Sequence, residues 1–486
     1  MTSHDNRAQV EIGADTNPHP DAIELAEDTF RILILGDFGC HTASRPPLAE
    51  RRIQRVDRDG IDAAIMHIAP ALRFSIDPDS QPEVIGFREL DDFHPDQLLT
   101  NARTLARLRE LRTSVESQGV PPVRQDSAAA PGQLPSLDTG SLLDRILEGE
   151  PPLMGKPPEP SPSRGDDLSD FIRRAVRPHV AREVDPQQRA LVERVDDVLA
   201  ATLRVLLHHP GFQALEALWR AVDLFVRRCD TGGSTAIGLF DLTQAELSAA
   251  ATDAGGRRAL MDTIARDGEG SAWTLVIAAF RFGAADVALL AEVAAMGEEM
   301  SAPWLTAADP RLAGTASFAG NGDMDDWEPS PMAGWDELRH ARSARFLCLA
   351  LPSFLVRLPY GTENPIDSMS FEELESGVAA HESFLWGNPA FLCGLVASTP
   401  VERGQPAPSQ GTISRLPLHL ATIDGAAEAL PCAEVLLTQR AVGHLLGRGL
   451  TPLVSQRDGD AVRIPRLQSI AEPAAPLLIQ PAARSA

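Results

Sequence analysis

The pattern of apolar positions begins with an unbroken aliphatic run from Ile32 to Leu35, inside the stretch "FRILILGDF". A short run of this kind, without alternating polar residues, is typical of a strand that is buried on both faces. Residues 55–74 and 92–117 follow, and each has apolar residues three or four positions apart. This spacing predicts two amphipathic helices after the strand.

A second apolar pattern begins at residue 166. A long helix is predicted through the apolar positions from Leu191 to Leu206, and short β-prone runs follow it with helical patterns between them. These runs are "STAIGLF", "WTLVIAAF", "RFLCLAL" and "AEVLLT". The alternation predicts an α/β fold class (mixed α+β), in which mixed sheets are flanked by helices.

A proline-rich segment separates the two patterns. Residues 121–165 hold ten of the chain's 39 prolines, a composition that cannot pack a core and that predicts an extended linker. The stretch "SLLDRILEG" at 141–149 interrupts it as a predicted short helix. The apolar side chains that this helix offers to a partner are Leu142, Leu143, Ile146 and Leu147.

The predicted organisation therefore has five parts, two of which are compact units joined by the linker. The Ala/Pro-rich end of the chain is expected to be disordered. The parts are an N-terminal arm (1–27), a first unit (28–120), the linker (121–165), a larger second unit (166–472) and a disordered tail (473–486).

The charge balance excludes several classes of partner. The chain has 68 acidic and 44 basic residues, a net charge of −24, and no compact basic cluster with interleaved aromatic residues, so nucleic acid is not expected as a partner. No export signal or membrane-spanning stretch is evident, so membrane insertion is not expected. Five scattered cysteines without a CxxC pair favour reduced thiols and a cytoplasmic location.

The stretch "LLHHPGFQALEALWR" resembles a metal or acid–base site because it holds adjacent histidines. Pro210 forces the residue before it out of the helical region, so His208 and His209 mark a corner between two helices rather than a ligand pair. Phe212 and Trp219 share the buried face of the second helix and are predicted structural anchors. Glu216 and Arg220, four positions apart, are expected to pair on the surface of that helix.

No other string supports catalysis. The chain has no phosphate-binding loop, nucleophile elbow or paired-histidine zinc motif, and "DFG" at 37–39 lacks the other kinase motifs. We therefore predict no catalytic, cofactor-binding or metal-binding residue and no enzyme activity. Arg357, Tyr360 and Trp386, in two aromatic-rich stretches, are predicted to anchor packing at a domain or subunit contact.

Several of these strings resemble a known family. "FRILILGDFGC" and "FRELDDFHPDQLLTNARTLARLRELR" resemble the small subunit of the type VI secretion contractile sheath (TssB, VipA or ImpB). "SLLDRILEG", "LLHHPGFQALEALWRAVDLFV", "RFLCLALPSFLVRLPYG" and "FLWGNPAF" resemble the large subunit (TssC, VipB or ImpC), in the same order. The resemblance covers about 28–115 and 140–470 and implies a fusion of the two subunits.

The resemblance also implies function and partners. In the family, the two subunits form heterodimers that polymerise around an inner tube, contract, and are disassembled by the AAA+ ATPase ClpV. The implied partners are other sheath subunits, the inner tube protein, the baseplate and a ClpV-like ATPase, which would bind the helix of Leu142, Leu143, Ile146 and Leu147. The segment from Val10 through Glu11 to Ile12 is the candidate for a strand donated to a neighbour.

Three readings of the function follow from the sequence. The first is a structural sheath subunit, and the second is a sheath-like paralogue that caps, initiates or regulates a sheath without polymerising. The third, less favoured, is an enzyme whose perturbed titratable residues converge in one pocket. Because the resemblance ends near residue 467, before the family's C-terminal strands, we expect the chain to assemble only beside full-length sheath subunits.

Overall fold

The computed structural model describes most of the chain outside the N-terminal arm and the proline-rich segment. The described ranges are 30–40, 45–75, 81–118, 186–229, 235–266, 272–319, 322–328, 333–374, 381–399, 409–423 and 426–479. The predicted arm (1–27), linker (121–165) and short helix (141–149) therefore lie outside the described residues.

Helices and strands alternate along the described chain, so the predicted mixed α/β class is confirmed. The helices are α1 (Ile61–Ile68), α2 (Pro95–Asn101), α3 (Arg103–Gln118), α4 (Pro186–Leu207), α5 (Pro210–Arg228), α6 (Gln244–Thr252), α7 (Ala254–Arg266), α8 (Val287–Met300), α9 (Trp335–His340), α10 (Ala390–Ala397) and α11 (Gln439–Gly447). The longer strands, with five or more residues, are β1 (Phe30–Gly36), β5 (Thr235–Asp241), β6 (Leu275–Phe282), β7 (Trp304–Ala308) and β8 (Leu347–Leu351). The shorter strands are β2 (Gln54–Val56), β3 (Ala71–Phe74), β4 (Glu83–Gly86), β9 (Phe354–Leu355), β10 (Trp386–Gly387), β11 (Gly411–Ile413), β12 (Leu420–Ile423), β13 (Ala426–Ala429), β14 (Leu450–Pro452), β15 (Val454–Ser455) and β16 (Val462–Ile464).

The central sheet has seven strands in the described chain, in the order β14, β8, β7, β6, β1, β5, β2. All neighbours in it are parallel except β2, which runs antiparallel to β5. Parallel sheets are usually covered by helices on both faces, so their strands are apolar throughout. This explains the unbroken run in β1, whose residues from Arg31 to Gly36 are all buried.

Strand β1 lies in the middle of this sheet although its neighbours come more than 200 residues later. Ile32 is in register with Ile237 of β5 on one side and with Leu275 of β6 on the other. The first predicted unit therefore does not form a core of its own, because its only long strand completes a sheet built from the second unit. The two sequence regions expected at 28–120 and 166–472 therefore share one sheet.

Clustering of spatial neighbours divides the described residues differently from the sequence prediction. One compact unit holds the residues up to Ala106 together with those from Ala200 onward. The other runs from Arg107 to Leu199 and contains most of α3 and most of α4. Within it, Arg112 forms an ion pair with Asp196. The helix that contains Arg112 therefore contacts the second sequence region.

The junction between α4 and α5 follows the sequence prediction. α4 ends at Leu207, and α5 begins at Pro210, which occupies the first helical position, where a missing N–H costs nothing. His209 caps the helix, since its Nδ1 atom accepts a hydrogen bond from Gly211 N–H at 3.2 Å. The histidine pair is thus part of a helix boundary.

The predicted disorder of the tail from residue 473 is wrong for residues 473–479. Leu477 and Ala475 are buried, and the carbonyl of Ala475 accepts hydrogen bonds from the backbone N–H and the hydroxyl of Ser469. The apolar residues among the prolines have a surface to pack on, which composition alone did not reveal. Residues 480–486 lie outside the described chain. No described helix is long and apolar enough to cross a membrane.

Candidate functional site

Helix α5 contacts the first sequence region through its aromatic residues. Trp219 is fully buried, its indole N–H donates to the carbonyl of Phe38 at 3.2 Å, and the two rings lie 5.2 Å apart. Phe212 is also fully buried and packs near Phe87 and Phe93, whose rings stack at 4.2 Å. Both residues therefore lie at the contact between the two sequence regions.

The same helix carries a buried charge network, which consists of Glu216, Arg220, Arg357, Tyr360 and Glu373. The expectation that Glu216 and Arg220 pair on the surface is wrong in one respect. The two side chains do form an ion pair, with 2.7 Å between Nε and Oε1, but the Glu216 side chain is 0% exposed. Its position explains the burial, because Glu216 lies four residues after Phe212 and three before Trp219, on the apolar face.

Arg357 joins the two carboxylates of the network. Its Nε atom lies 2.8 Å from Glu216 Oε1, its Nη1 atom lies 2.8 Å from Glu373 Oε2, and its Nη2 atom contacts both carboxylates at 3.2 and 3.1 Å. Nη1 also donates to the carbonyl of Leu358. All five guanidinium N–H groups therefore have acceptors, which is the condition for burying this charge without a large penalty.

Tyr360 lies at one edge of the network. The guanidinium of Arg357 lies over its ring at 4.4 Å, and Arg220 Nη2 donates to its hydroxyl at 3.3 Å. Its backbone N–H donates to Glu373 at 2.8 Å. His208 Nε2 lies 3.6 Å from Glu373 Oε1, so the first histidine borders the network.

The electrostatics of the network follow from burial and charge pairing. Burial opposes ionisation of Glu373, but the charge of Arg357, the nearby His208 and the hydrogen bonds from Arg357 and Tyr360 N–H lower its pKa to about 2. Burial and the charge of Glu216 raise the pKa of Tyr360 to about 12. Burial would lower the pKa of Arg357, yet Glu216 and Glu373 raise it well above its ordinary value. The positive charges of Arg220 and Arg357 thus balance the negative charges of the two glutamates. The Tyr360 hydroxyl stays protonated.

The arrangement connects three parts of the fold. Arg357 and Tyr360 belong to the "RLPYG" stretch after β9, Glu373 to the loop that follows, and Glu216 and Arg220 to α5. Perturbed titratable residues do converge here, as the enzyme reading requires. The two carboxylates, however, are both hydrogen-bonded to Arg357. The sequence signal that reveals Glu216 is its place on the apolar face of α5; no comparable signal marks Glu373.

Trp386 lies apart from this network. It is half-buried rather than a core residue, and its indole N–H donates to the carbonyl of His381 at 2.8 Å. Its exposure comes from a mostly apolar cavity of ≈ 510 Å³ that it lines together with Phe384 and His419. Trp386 therefore combines a partly buried, hydrogen-bonded edge with a face on the cavity.

A second group of ion pairs joins the two sequence regions near the carboxyl ends of β1 and β5. Arg51 donates to the Asp241 carbonyl at 2.8 Å and to Glu246 Oε2 at 3.0 Å. Arg45 pairs with Asp37 and with Glu246. Burial opposes ionisation of Glu246, but hydrogen bonds from Arg51 and the backbone N–H of Thr243 lower its pKa to about 2.

The remaining predicted site residues lie outside the described chain. They are the strand-exchange segment Val10, Glu11 and Ile12 and the ATPase-binding positions Leu142, Leu143, Ile146 and Leu147. Within the described ranges, no three His, Cys, Asp or Glu side chains are grouped so that they could hold a metal ion.

Comparison with known proteins matches the two sequence regions separately. Residues 189–471, more than half of the chain, match the VipB family, described as "EvpB/VC_A0108, tail sheath N-terminal domain". Residues 2–118 match the family described as "Type VI secretion system, VipA, VC_A0107 or Hcp2". The boundary between these matches agrees with the proline-rich segment.

A curated relative agrees with the larger match. The chain is 25% identical over 307 residues to the type VI secretion system sheath protein TssC1 of Pseudomonas aeruginosa, and the alignment covers 59% of this chain. The chain spans about 61% of the length of that relative. With more than half of its residues matched, the chain belongs to the VipB tail-sheath family, and a region that matches VipA precedes its VipB region in the same polypeptide.

Proposed function

We propose that this chain is a structural subunit of a type VI secretion contractile sheath, with the VipA-like and VipB-like parts forming one protomer. The observation that carries the proposal is the position of β1 between β5 and β6. A strand with hydrogen-bonded neighbours on both sides cannot dissociate without opening the sheet. The two parts therefore act as one building block.

The partners follow from this role. Other sheath subunits are the first partners, and the inner tube protein, the baseplate and a ClpV-like ATPase complete the proposed set. The protomer works in the cytoplasm, where the sheath assembles, and as a scaffold rather than as an enzyme. The mutual satisfaction of Glu216, Glu373 and Arg357 supports the scaffold role, because a catalytic carboxylate must be free to react.

Electron microscopy of the purified chain tests the sheath role. The chain is imaged alone and after mixing with separately produced VipA and VipB subunits. Hollow tubes in either sample support the proposal, and tubes only in the mixture identify a subunit that needs other sheath proteins to assemble. Particles that never enter a tube in either sample contradict it.

The proposal that the VipA-like and VipB-like parts form one protomer has its own test. A protease site is inserted between Gly132 and Ser136, and the cut chain is passed through a size-exclusion column. We expect the halves to elute together, because β1 remains paired with β5 and β6 after the cut. Elution as two folded, separate species would disprove the shared protomer while leaving the sheath role open.

We also propose that Leu142, Leu143, Ile146 and Leu147 form the face that a ClpV-like ATPase binds, and that the segment from Val10 to Ile12 pairs with a neighbouring subunit. The amphipathic spacing of the first set and the β-prone character of the second support these assignments. Leu143→Asp should weaken binding of the purified ATPase N-terminal domain while leaving the melting temperature unchanged. Arg145→Glu, on the polar side of the same segment, is the matched control.

A further inference from the structure

A cavity of ≈ 510 Å³ lies against the charge network, on the side of Tyr360. Arg220, Tyr360 and Arg415 line it, together with His94 and Asp91. We call it the Tyr360 cavity. Nothing in the proposed scaffold role requires a cavity at this place.

The Tyr360 cavity is rich in hydrogen-bond donors. Arg220 uses one N–H for Glu216 and one for the Tyr360 oxygen, so three of its five N–H groups have no acceptor among the described residues. The Tyr360 hydroxyl accepts from Arg220, and its own proton has no acceptor in the described chain, although the residue is 97% buried. The Arg220 side chain is 21% exposed, whereas a buried hydroxyl such as that of Tyr360 costs free energy unless a partner accepts its proton.

His94 adds a further donor to the same wall. Its Nδ1 atom accepts a hydrogen bond from Asp96 N–H, which leaves the proton of a neutral ring on Nε2. The ring stands edge-on to Tyr360 at 5.1 Å. Asp91 is the one carboxylate among the described lining residues.

Arg415 stands at the edge of the Tyr360 cavity in a strained backbone conformation. Its φ angle is +59°, a region that glycine or asparagine adopts at lower cost than arginine. The turn itself therefore does not account for an arginine here. In the described chain no carboxylate pairs with Arg415, and its backbone carbonyl accepts from the neighbouring Arg228 at 2.7 Å.

The local charge is opposite to that of the whole chain. Arg228 donates to two backbone carbonyls and, within the described residues, to no carboxylate. Burial and the charge of Arg415 lower the pKa of Arg228, and Asp460 opposes this effect. The guanidinium groups of Arg415 and Arg228, on a chain with a net charge of −24, attract the acidic surface of a second copy.

We propose that the Tyr360 cavity binds a carboxylate side chain, presented by an Asp or Glu of a second copy of this chain. Arg220, Arg415, the Tyr360 hydroxyl and His94 Nε2 donate to its two oxygens. The assignment of this carboxylate to a second copy rests on the proposed sheath function, in which copies lie side by side. The recognition of a carboxylate by the cavity does not depend on that function. The cavity is thus a contact point between protomers.

The chain has a single tyrosine, so labelling with 3-fluorotyrosine gives one ¹⁹F resonance that reports on this cavity. Sodium acetate serves as the carboxylate probe and is titrated into the unassembled chain against sodium chloride at equal ionic strength. We expect a saturable shift with acetate and none with chloride. Arg415→Ala should weaken acetate binding roughly tenfold, because a charge-assisted hydrogen bond is lost.

The control variant is Arg311→Ala, whose side chain is 73% exposed and does not line the cavity. It should bind acetate like the wild type. Equal shifts with acetate and chloride, no shift with either, or equal effects of the two variants would each overturn the proposed carboxylate site. These results do not depend on assembly, so they are distinct from a failure of the sheath proposal.

The source of the carboxylate is tested by raising the protein concentration. We expect the resonance to move toward its acetate-bound position as copies associate, and excess acetate or Arg415→Ala to reduce that association. If the chain binds acetate but its association leaves the resonance unchanged, or if no association occurs, the second copy is not the source.

Discussion

Helix α5 carries two ion pairs that have the same spacing and the same length but different surroundings. Glu216 and Arg220 lie 2.7 Å apart, and so do Asp223 and Arg227, two turns further along the helix. The first pair belongs to the charge network, with Glu216 0% exposed. In the second pair the Arg227 side chain is 57% exposed.

The difference shows that the sequence pattern of an ion pair does not fix its energetic role. An exposed pair exchanges water contacts for a weak attraction, so its net contribution is small. In a buried pair each charge depends on its partner, and removing one leaves the other without compensation. The four predictions below extend this comparison.

The largest difference is expected between Glu216→Ala and Asp223→Ala. Loss of Glu216 leaves Arg220 and Arg357 with one buried carboxylate between them, so we expect the free energy of unfolding to fall by about 3–5 kcal/mol. Asp223→Ala should change it by less than about 0.5 kcal/mol. Urea unfolding followed by tryptophan fluorescence measures both.

If Glu216→Ala fails to fold, Arg220→Ala provides the milder test, because it keeps the contacts of Glu216 with Arg357. An intermediate loss of stability is expected for it. Equal stabilities of the Glu216 and Asp223 variants would mean that the burial of the network has no energetic consequence.

The two tryptophans extend the comparison from charge to packing. Trp219→Ala removes a fully buried ring at the contact with Phe38 and should cost about 3–5 kcal/mol. Trp386→Ala removes a half-buried ring beside an existing cavity, so its cost should be lower by at least about 1 kcal/mol. Thermal unfolding of the two variants measures the difference, and a larger loss at Trp386 would reverse this reading.

The acid stability of the chain should report the network directly. Because the pKa of Glu373 is lowered to about 2 in the folded state, its ionised form stabilises the fold. This contribution is complete above the unfolded pKa of about 4.3 and is lost as the pH falls toward 2, with a total on the order of 3 kcal/mol.

Glu373→Gln should therefore be less stable than the wild type at neutral pH and should lose less stability between pH 4.5 and 2. Some acid dependence will remain, since the pKa of Glu246 is also lowered to about 2. Urea unfolding at a series of pH values measures the slope. An unchanged slope in Glu373→Gln would show that this carboxylate is not ionised in the folded state.

The sequence predicted local features well where one physical cause dominated. The aliphatic run at Ile32 to Leu35 could only be a buried strand, and Pro210 had to open a helix. The place of β1 between β5 and β6 could not be predicted, because hydropathy records that a strand is buried and not which distant strands pair with it.

The charge network was predictable only in part. Glu216 lies on the apolar face of α5, so its burial could have been read from the same spacing that placed Phe212 and Trp219 there. Glu373 comes from a loop in which no periodic pattern exists, and its contact with Arg357 is set by tertiary packing. Likewise, the alanines and prolines after residue 472 gave no indication of the surface on which Leu477 packs.

The smallest expected effect concerns the coupling within each ion pair and its response to salt. A double-mutant cycle on Asp223 and Arg227 should give about 0.3–0.5 kcal/mol in low salt, a value typical of exposed helix pairs. At about 1 M NaCl the Debye length is about 3 Å, so this coupling should fall close to zero. The cycle on Glu216 and Arg220 should give a larger coupling that salt changes little, because ions and water do not reach a carboxylate that is 0% exposed.

Urea unfolding of both sets of variants at the two salt concentrations gives the four couplings. A salt response of the same size for both pairs would show that water enters the network in solution, and the distinction between the two parts of α5 would then disappear.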